Sequence, residues 1–149
     1  MKQLWLKAWL LCGTLDALYA TLVALLRGTS TTGVWLGVAS GPFGDSAQQW
    51  GAPGVLAGLA VHFALMAVMA AVGLWLARNT PLGDVAPWKA GTLYGLALYC
   101  AMYGLVLHFR FGLPFPNPDR VKLAIGLFPH IFFVGIPMFY LFKRTPQLS

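Results

Sequence analysis

Four long apolar runs divided by polar breaks predict an all-α membrane protein, a bundle of four transmembrane helices built from two tandem two-helix repeats. Three observations carry that expectation. Of 149 residues, 58% are hydrophobic and only 9% charged, whereas soluble domains carry roughly 25% charged residues; the mean hydropathy is +0.71. Residues 4–26, 54–77, 90–109 and 121–142 form runs near the ~20 residues that a helix needs to cross the hydrocarbon core. The second and fourth runs share Gly-Leu-x-x-His, as Gly58, Leu59 and His62 and as Gly126, Leu127 and His130, and the first and third share Gly13-Thr14-Leu15 and Gly91-Thr92-Leu93. Self-similarity at this scale predicts a first repeat over residues 1–81 and a second over 82–149, within one integral membrane domain.

A net charge of +6 would suggest nucleic acid in a soluble chain, but here the cations stand at span ends, where they report topology, and no nucleic-acid partner is expected. Lys2, Lys7, Arg78, Lys89, Lys143 and Arg144 flank one side; Arg27, Arg110, Arg120 and Lys122 flank the other. The richer side is the cytoplasmic one by the positive-inside rule, so both termini are expected in the cytoplasm. Trp5, Trp9, Trp75 and Trp88 are then expected at the inner interface, and Trp35 and Trp50 at the outer one.

The first run begins with lysines and continues apolar, as signal peptides also do. Bulky Leu11 before Cys12 does not fit lipoprotein processing, and losing the run would remove half a repeat, so it is read as the first membrane helix. Its Gly13, Asp16, Ala17 and Ala20 share one face. Small residues let membrane helices approach closely, and an ionisable group within a span is costly unless it faces the bundle or a wet cavity. Two readings fit Asp16, a helix-to-helix hydrogen bond or a working acid. Residues 28–52 are too long for a simple turn: Val34, Trp35, Leu36, Val38 and Ala39 predict a short interfacial helix, broken by Ser40-Gly41-Pro42-Phe43-Gly44, with Asp45 capping a turn through Gln49. Ser40, Gly41, Gly44 and Asp45 are candidates for a lid over the bundle mouth, against a plain interfacial loop. The stretch lacks the Gly-Lys-Ser/Thr ending of a phosphate loop.

Pro53 suits a first helical turn. Gly54, Gly58 and His62 follow on one face, which places the imidazole where helices pack most closely. The third run offers Gly91 and Gly95, then Tyr99 and Tyr103, each pair four apart, and Tyr94 stands where the first repeat has Asp16. Alternating Pro114, Pro116 and Pro118 stiffen the next loop, and Asp119 can cap the fourth helix. Pro129 and Pro137 remove donors there and free the carbonyls of Ile125 and Phe133 beside His130. Cys12 and Cys100 lack metal-site spacing and read as small apolar residues.

The motifs Gly13-Thr14-Leu15-Asp16, Ala39-Ser40-Gly41 with Gly44, and Gly58-Leu59-x-x-His62 resemble those of an uncharacterised family of small four-span bacterial inner-membrane proteins. The resemblance covers nearly the whole chain. It implies the four-span fold and a bacterial inner-membrane location, and, because that family has no assigned activity, no substrate.

Rise per residue puts Asp16 about 16 Å, and His62 and His130 roughly 12 to 14 Å, from the outer ends of their spans. Groups at one depth on small-residue faces suggest a transport, channel or proton-handling module, with Asp16, His62, His130, Tyr99 and Tyr103 as a ligand or proton site at the repeat interface. Four helices are few for a transporter, so a homodimer or a membrane partner protein is expected. Two alternatives stand beside it. One is a non-catalytic assembly or scaffold protein in which these groups lock helices together; the other is a redox protein with His62 and His130 ligating a b-type haem. No other cofactor is expected. The chain has no Glu and four scattered Asp, and no nucleophile stands near a base, so the reading leans away from an enzyme. Cysteine labelling tests the topology: a thiol introduced at Asp84 should react only from the cytoplasmic side, and thiols at Asp45 or Asn117 only from outside.

Overall fold

The computed structural model describes residues 1–143, all of whose regular structure is helical; the polar stop expected at Arg144, Thr145 and Pro146 lies outside the described residues. Four helices are long and apolar enough to cross a membrane. They are α1 (Lys2–Leu26), α3 (Ala52–Asn79), α4 (Pro87–Phe111) and α5 (Arg120–Phe142). Between α1 and α3 stands a shorter helix, α2 (Thr31–Phe43). Each span runs one to three residues beyond its apolar run, because polar and aromatic residues at membrane interfaces still hold helical backbone. Pro53 sits in the first turn of α3, and the Asp119 carboxylate accepts from the Val121 and Lys122 amides to cap α5, both as the sequence predicts.

The α2 region departs from expectation in three ways. The helix does not break at Ser40: it continues through Pro42 to Phe43 and stops at Gly44, whose φ of 85° suits glycine. Asp45 is the first residue of a short 3-10 turn (Asp45–Gln49) and caps nothing with its side chain. Nor does α2 merely lie in the interface. Trp35, expected in the outer aromatic belt, is 7% exposed, because the Trp35 carbonyl rests directly on Gly58 of α3, where any Cβ would collide with it.

Within the bundle α1 and α3 run antiparallel, fastened by indole N–H groups: Trp5 donates to the Ala67 carbonyl at 2.9 Å and Trp9 to that of Phe63 at 2.7 Å. The α4–α5 pair approaches more closely still. Gly91 lies on the backbone of Gly135 and Ile136, Gly95 on that of His130 and Ile131, and Gly135 fits against the backbone of Gly91 and Gly95. Lipid offers no hydrophobic drive for helices to associate, so such close approach, with its dispersion contacts, has to supply it. α5 is the most enclosed span, with 39% of its apolar window buried against 17% for α1 and α3. Val134, Met138 and Phe142 pack it into one core with Ala8, Cys12 and Ala70.

The two hairpins do not share one contact register. A Cβ on Gly13 would meet the Phe63 and Met66 side chains, whereas one on the counterpart Gly91 would meet the Gly135 and Ile136 backbone, beyond the matching positions Ile131 and Val134. The second hairpin also holds two wide-turn segments of π type that the sequence reading did not anticipate, Cys100–Leu107 and His130–Gly135. The latter lies between Pro129 and Pro137, neither of which can donate, so the intervening backbone relaxes into i→i+5 bonding.

Gly95→Ala and Gly135→Ala should each cost about 1–3 kcal/mol by overpacking. Both should lower the thermal midpoint of purified protein by several degrees, and Gly37→Ala, whose added Cβ inside α2 meets nothing within 4 Å, should not lower it, since Ala favours a helix over Gly.

Candidate functional site

Each of the five helices sends one polar or aromatic side chain to a single cavity of about 220 Å³: Asp16 from α1, Trp35 from α2, His62 from α3, Tyr103 from α4 and His130 from α5. Met66, Met69 and Met102 complete much of its wall, a flexible and polarisable lining. Asp16, His62 and His130, assigned to one site from depth and face alone, are thus brought together on one cavity.

His62 is held by α1. Its Nε2 lies 2.9 Å from the Gly13 carbonyl, which can only accept, so Nε2 carries the hydrogen. The neutral ring therefore turns a bare Nδ1 toward Asp16, whose Oδ2 is 3.8 Å away. A lone pair facing a carboxylate is repulsive, and one added proton, on either partner, makes the contact attractive. Both side chains are largely shielded, at 12% and 22% exposure for His62 and Asp16, so their interaction is little screened by water.

His130 is held by its own helix. Its Nδ1 lies 2.7 Å from the Gly126 carbonyl, which makes Nδ1 the N–H and Nε2 the free nitrogen of the neutral ring. The shared Gly-x-x-x-His spacing acquires a physical meaning here. Gly58 makes room for Trp35, whose ring lies edge-on to His62 at 5.5 Å. Gly126 makes room for Tyr103, since a Cβ there would fall 2.7 Å from the phenol, and that ring lies edge-on to His130 at 5.9 Å. In each motif the glycine admits the residue whose ring covers the histidine, through the backbone of Trp35 at Gly58 and through the side chain of Tyr103 at Gly126.

Tyr99 does not line the cavity. It stacks on Tyr103 at 4.6 Å and meets His130 edge-on at 5.8 Å, and its hydroxyl is buried without a hydrogen-bond partner. Tyr19, which the sequence reading passed over, meets the carbonyl that Pro129 frees: its hydroxyl donates to Ile125 at 3.1 Å. That freed carbonyl was the available signal, although the chain alone does not say which hydroxyl reaches it.

The lid candidates gather around Arg110 at the end of α4. Its guanidinium donates to the Ser40 carbonyl at 2.8 Å, the Gly41 carbonyl at 3.0 Å and the Asp45 carboxylate at 2.8 Å. The two carbonyls belong to the last turn of α2, where the helix dipole favours a cation, and Gly44 makes the bend that brings Asp45 round. Arg110 counts in the sequence as a topology signal; its partners lie more than sixty residues away, and no local pattern announces them. Because Val34, Trp35 and Val38 of α2 form a cavity wall, this clamp holds one side of the site in place. Among the described residues no group of three or more His, Cys, Asp or Glu side chains has a metal-binding arrangement.

Compared with protein-family models, curated proteins and solved structures, the chain matches none.

Arg110→Gln should release α2. Hydrogen exchange across Thr31–Phe43 should accelerate by at least tenfold, whereas Asp45→Asn, which keeps both carbonyl contacts and removes an exposed ion pair worth about 0–1 kcal/mol, should change it little.

Proposed function

We propose that the protein is a transport or proton-handling module of the membrane, working through Asp16 and His62 with His130 and Tyr103 around them. The observation that supports it most is the His62 ring, fixed by Gly13 through one nitrogen and presenting the other to the Asp16 carboxylate inside a cavity at the heart of the bundle. Such a pair holds a proton and gives it up when a cation or another proton acceptor arrives. Six cations, Lys2, Lys7, Arg78, Lys89, Lys143 and Arg144, against four on the other side support termini in the cytoplasm, and a bacterial inner membrane is what the motif resemblance implies. With so few helices, the working form would be a homodimer or a complex with another membrane protein.

A structural role has one observation of its own: the His62 to Gly13 bond joins α1 to α3, as a helix-locking contact in an assembly protein would. The haem alternative draws less support. His62 commits Nε2 to the Gly13 carbonyl and turns Nδ1 toward Asp16.

Proteoliposomes loaded with a pH-sensitive dye and polarised by a potassium gradient with valinomycin separate the readings. Asp16→Asn and His62→Gln should reduce proton uptake at least tenfold while the thermal midpoint falls little. Lowered stability with uptake per folded molecule unchanged would instead establish the structural role.

A further inference from the structure

The cavity does not end at its polar walls. An apolar crevice of about 370 Å³ adjoins it and shares Val38, Leu65, Met102 and Leu107 with its lining. The crevice runs between α3 and α4, under Gly41 and Pro42 of α2, to Arg110 and Phe111. Leu65 and Val106 on its flanks are 37% and 45% exposed, on a surface that lipid covers in the membrane. Toward the other membrane face the two spans close up, where the Tyr94 hydroxyl donates to the Met69 carbonyl at 2.6 Å. The polar cavity is therefore reached sideways from lipid, within the half of the bilayer that holds α2.

The hydrogen-bonding character of the cavity narrows what fits it. Each imidazole has its single neutral-state N–H occupied by a backbone carbonyl, at Gly13 for His62 and Gly126 for His130. What remains on the two rings and Asp16 is one bare nitrogen each and the carboxylate, all acceptors, beside the Tyr103 hydroxyl and the Trp35 indole N–H, the groups on this lining that can donate. Trp35 and Tyr103 add aromatic surface, which favours a cation, and no Lys or Arg side chain lines the cavity.

Resting on the proton-handling reading above, we propose that cavity and crevice together bind a lipophilic amine drawn from the bilayer, its ammonium group on Asp16 and its hydrocarbon chain in the crevice. Before binding, Asp16 and His62 share one proton and are jointly neutral. The ammonium group replaces that proton as the partner of the carboxylate, His62 is left neutral, and the displaced proton passes to water. One proton is released for each ammonium bound.

Protein in nanodiscs is titrated with tritiated N,N-dimethyldodecylamine, with dodecanol as the neutral counterpart, and proton release is followed by a pH dye in weak buffer. The expected result is saturable amine binding over the background of empty discs, at least tenfold tighter than dodecanol, with release of about one proton. Asp16→Asn should weaken it tenfold or more, and Val61→Trp, which fills the crevice, at least fivefold. If Asp16→Asn fails to fold, the amine-to-dodecanol ratio and the proton release of the unaltered protein decide the matter. Equal binding of dodecanol, or amine binding without proton release, overturns the proposal. Asp16-dependent proton uptake in proteoliposomes with no amine binding overturns this inference alone, whereas absence of both overturns the proton-handling reading as well.

Discussion

The structure depends on backbone meeting backbone at glycine. In lipid the apolar side chains on the outside of α1, such as Leu10, Leu18 and Leu22, gain nothing by moving inward, so helix association has to come from close contact and from polar bonds. Gly91, Gly95 and Gly135 press α4 onto α5, and Gly58 accepts the carbonyl of Trp35. These approaches fix where the histidines stand, because His130 lies on the α4–α5 contact and Trp35 is the residue that covers His62. A bundle held apart by one methyl group at such a position would lose the site along with the packing.

Much of the fold was legible because hydropathy responds directly to the membrane. The four apolar runs became α1, α3, α4 and α5 with small changes at their ends. The gathering of Asp16, His62 and His130 was legible for a related reason: an ionisable group that cannot face lipid must lie on the face where small residues bring helices together. What stayed hidden depended on distant partners. The place of α2 is set by Gly58 and Arg110, and the hydropathy of its own residues cannot distinguish a helix lying in the interface from one tucked against the bundle. The separation of Tyr99 from Tyr103 arises where α4 changes from ordinary to wide turns, a change that a four-residue spacing does not anticipate. The shared motifs signalled a similarity of local design, a glycine making room for an aromatic cover, more directly than a common helix pairing.

Arg110 shows how one side chain can serve two levels of the structure. As a cation at the end of a span it suits the interface, and as a fork of donors it closes the last turn of α2, whose carbonyls have no helical partners beyond Gly44. Lysine would keep the charge but not the planar fork that reaches two carbonyls and a carboxylate at once. The wall of the cavity formed by Trp35 and Val38 is thereby referred to the far end of α4, so the geometry around His62 and the geometry of the connection from α1 to α3 are not independent.

The two histidines, alike in motif, are tethered by opposite nitrogens. His62 is fastened at its far tip, Nε2, to a neighbouring helix, while His130 is fastened at the near nitrogen, Nδ1, to its own. One ring is therefore a link between helices, which turns only by breaking the bond from α3 to α1, and the other leaves its outer nitrogen, Nε2, without a backbone partner. Anything lodged between them meets one ring tied across the bundle and one tied within its own helix, so the two sides of the cavity are not equivalent. Two like motifs thus hold an unequal pair of rings.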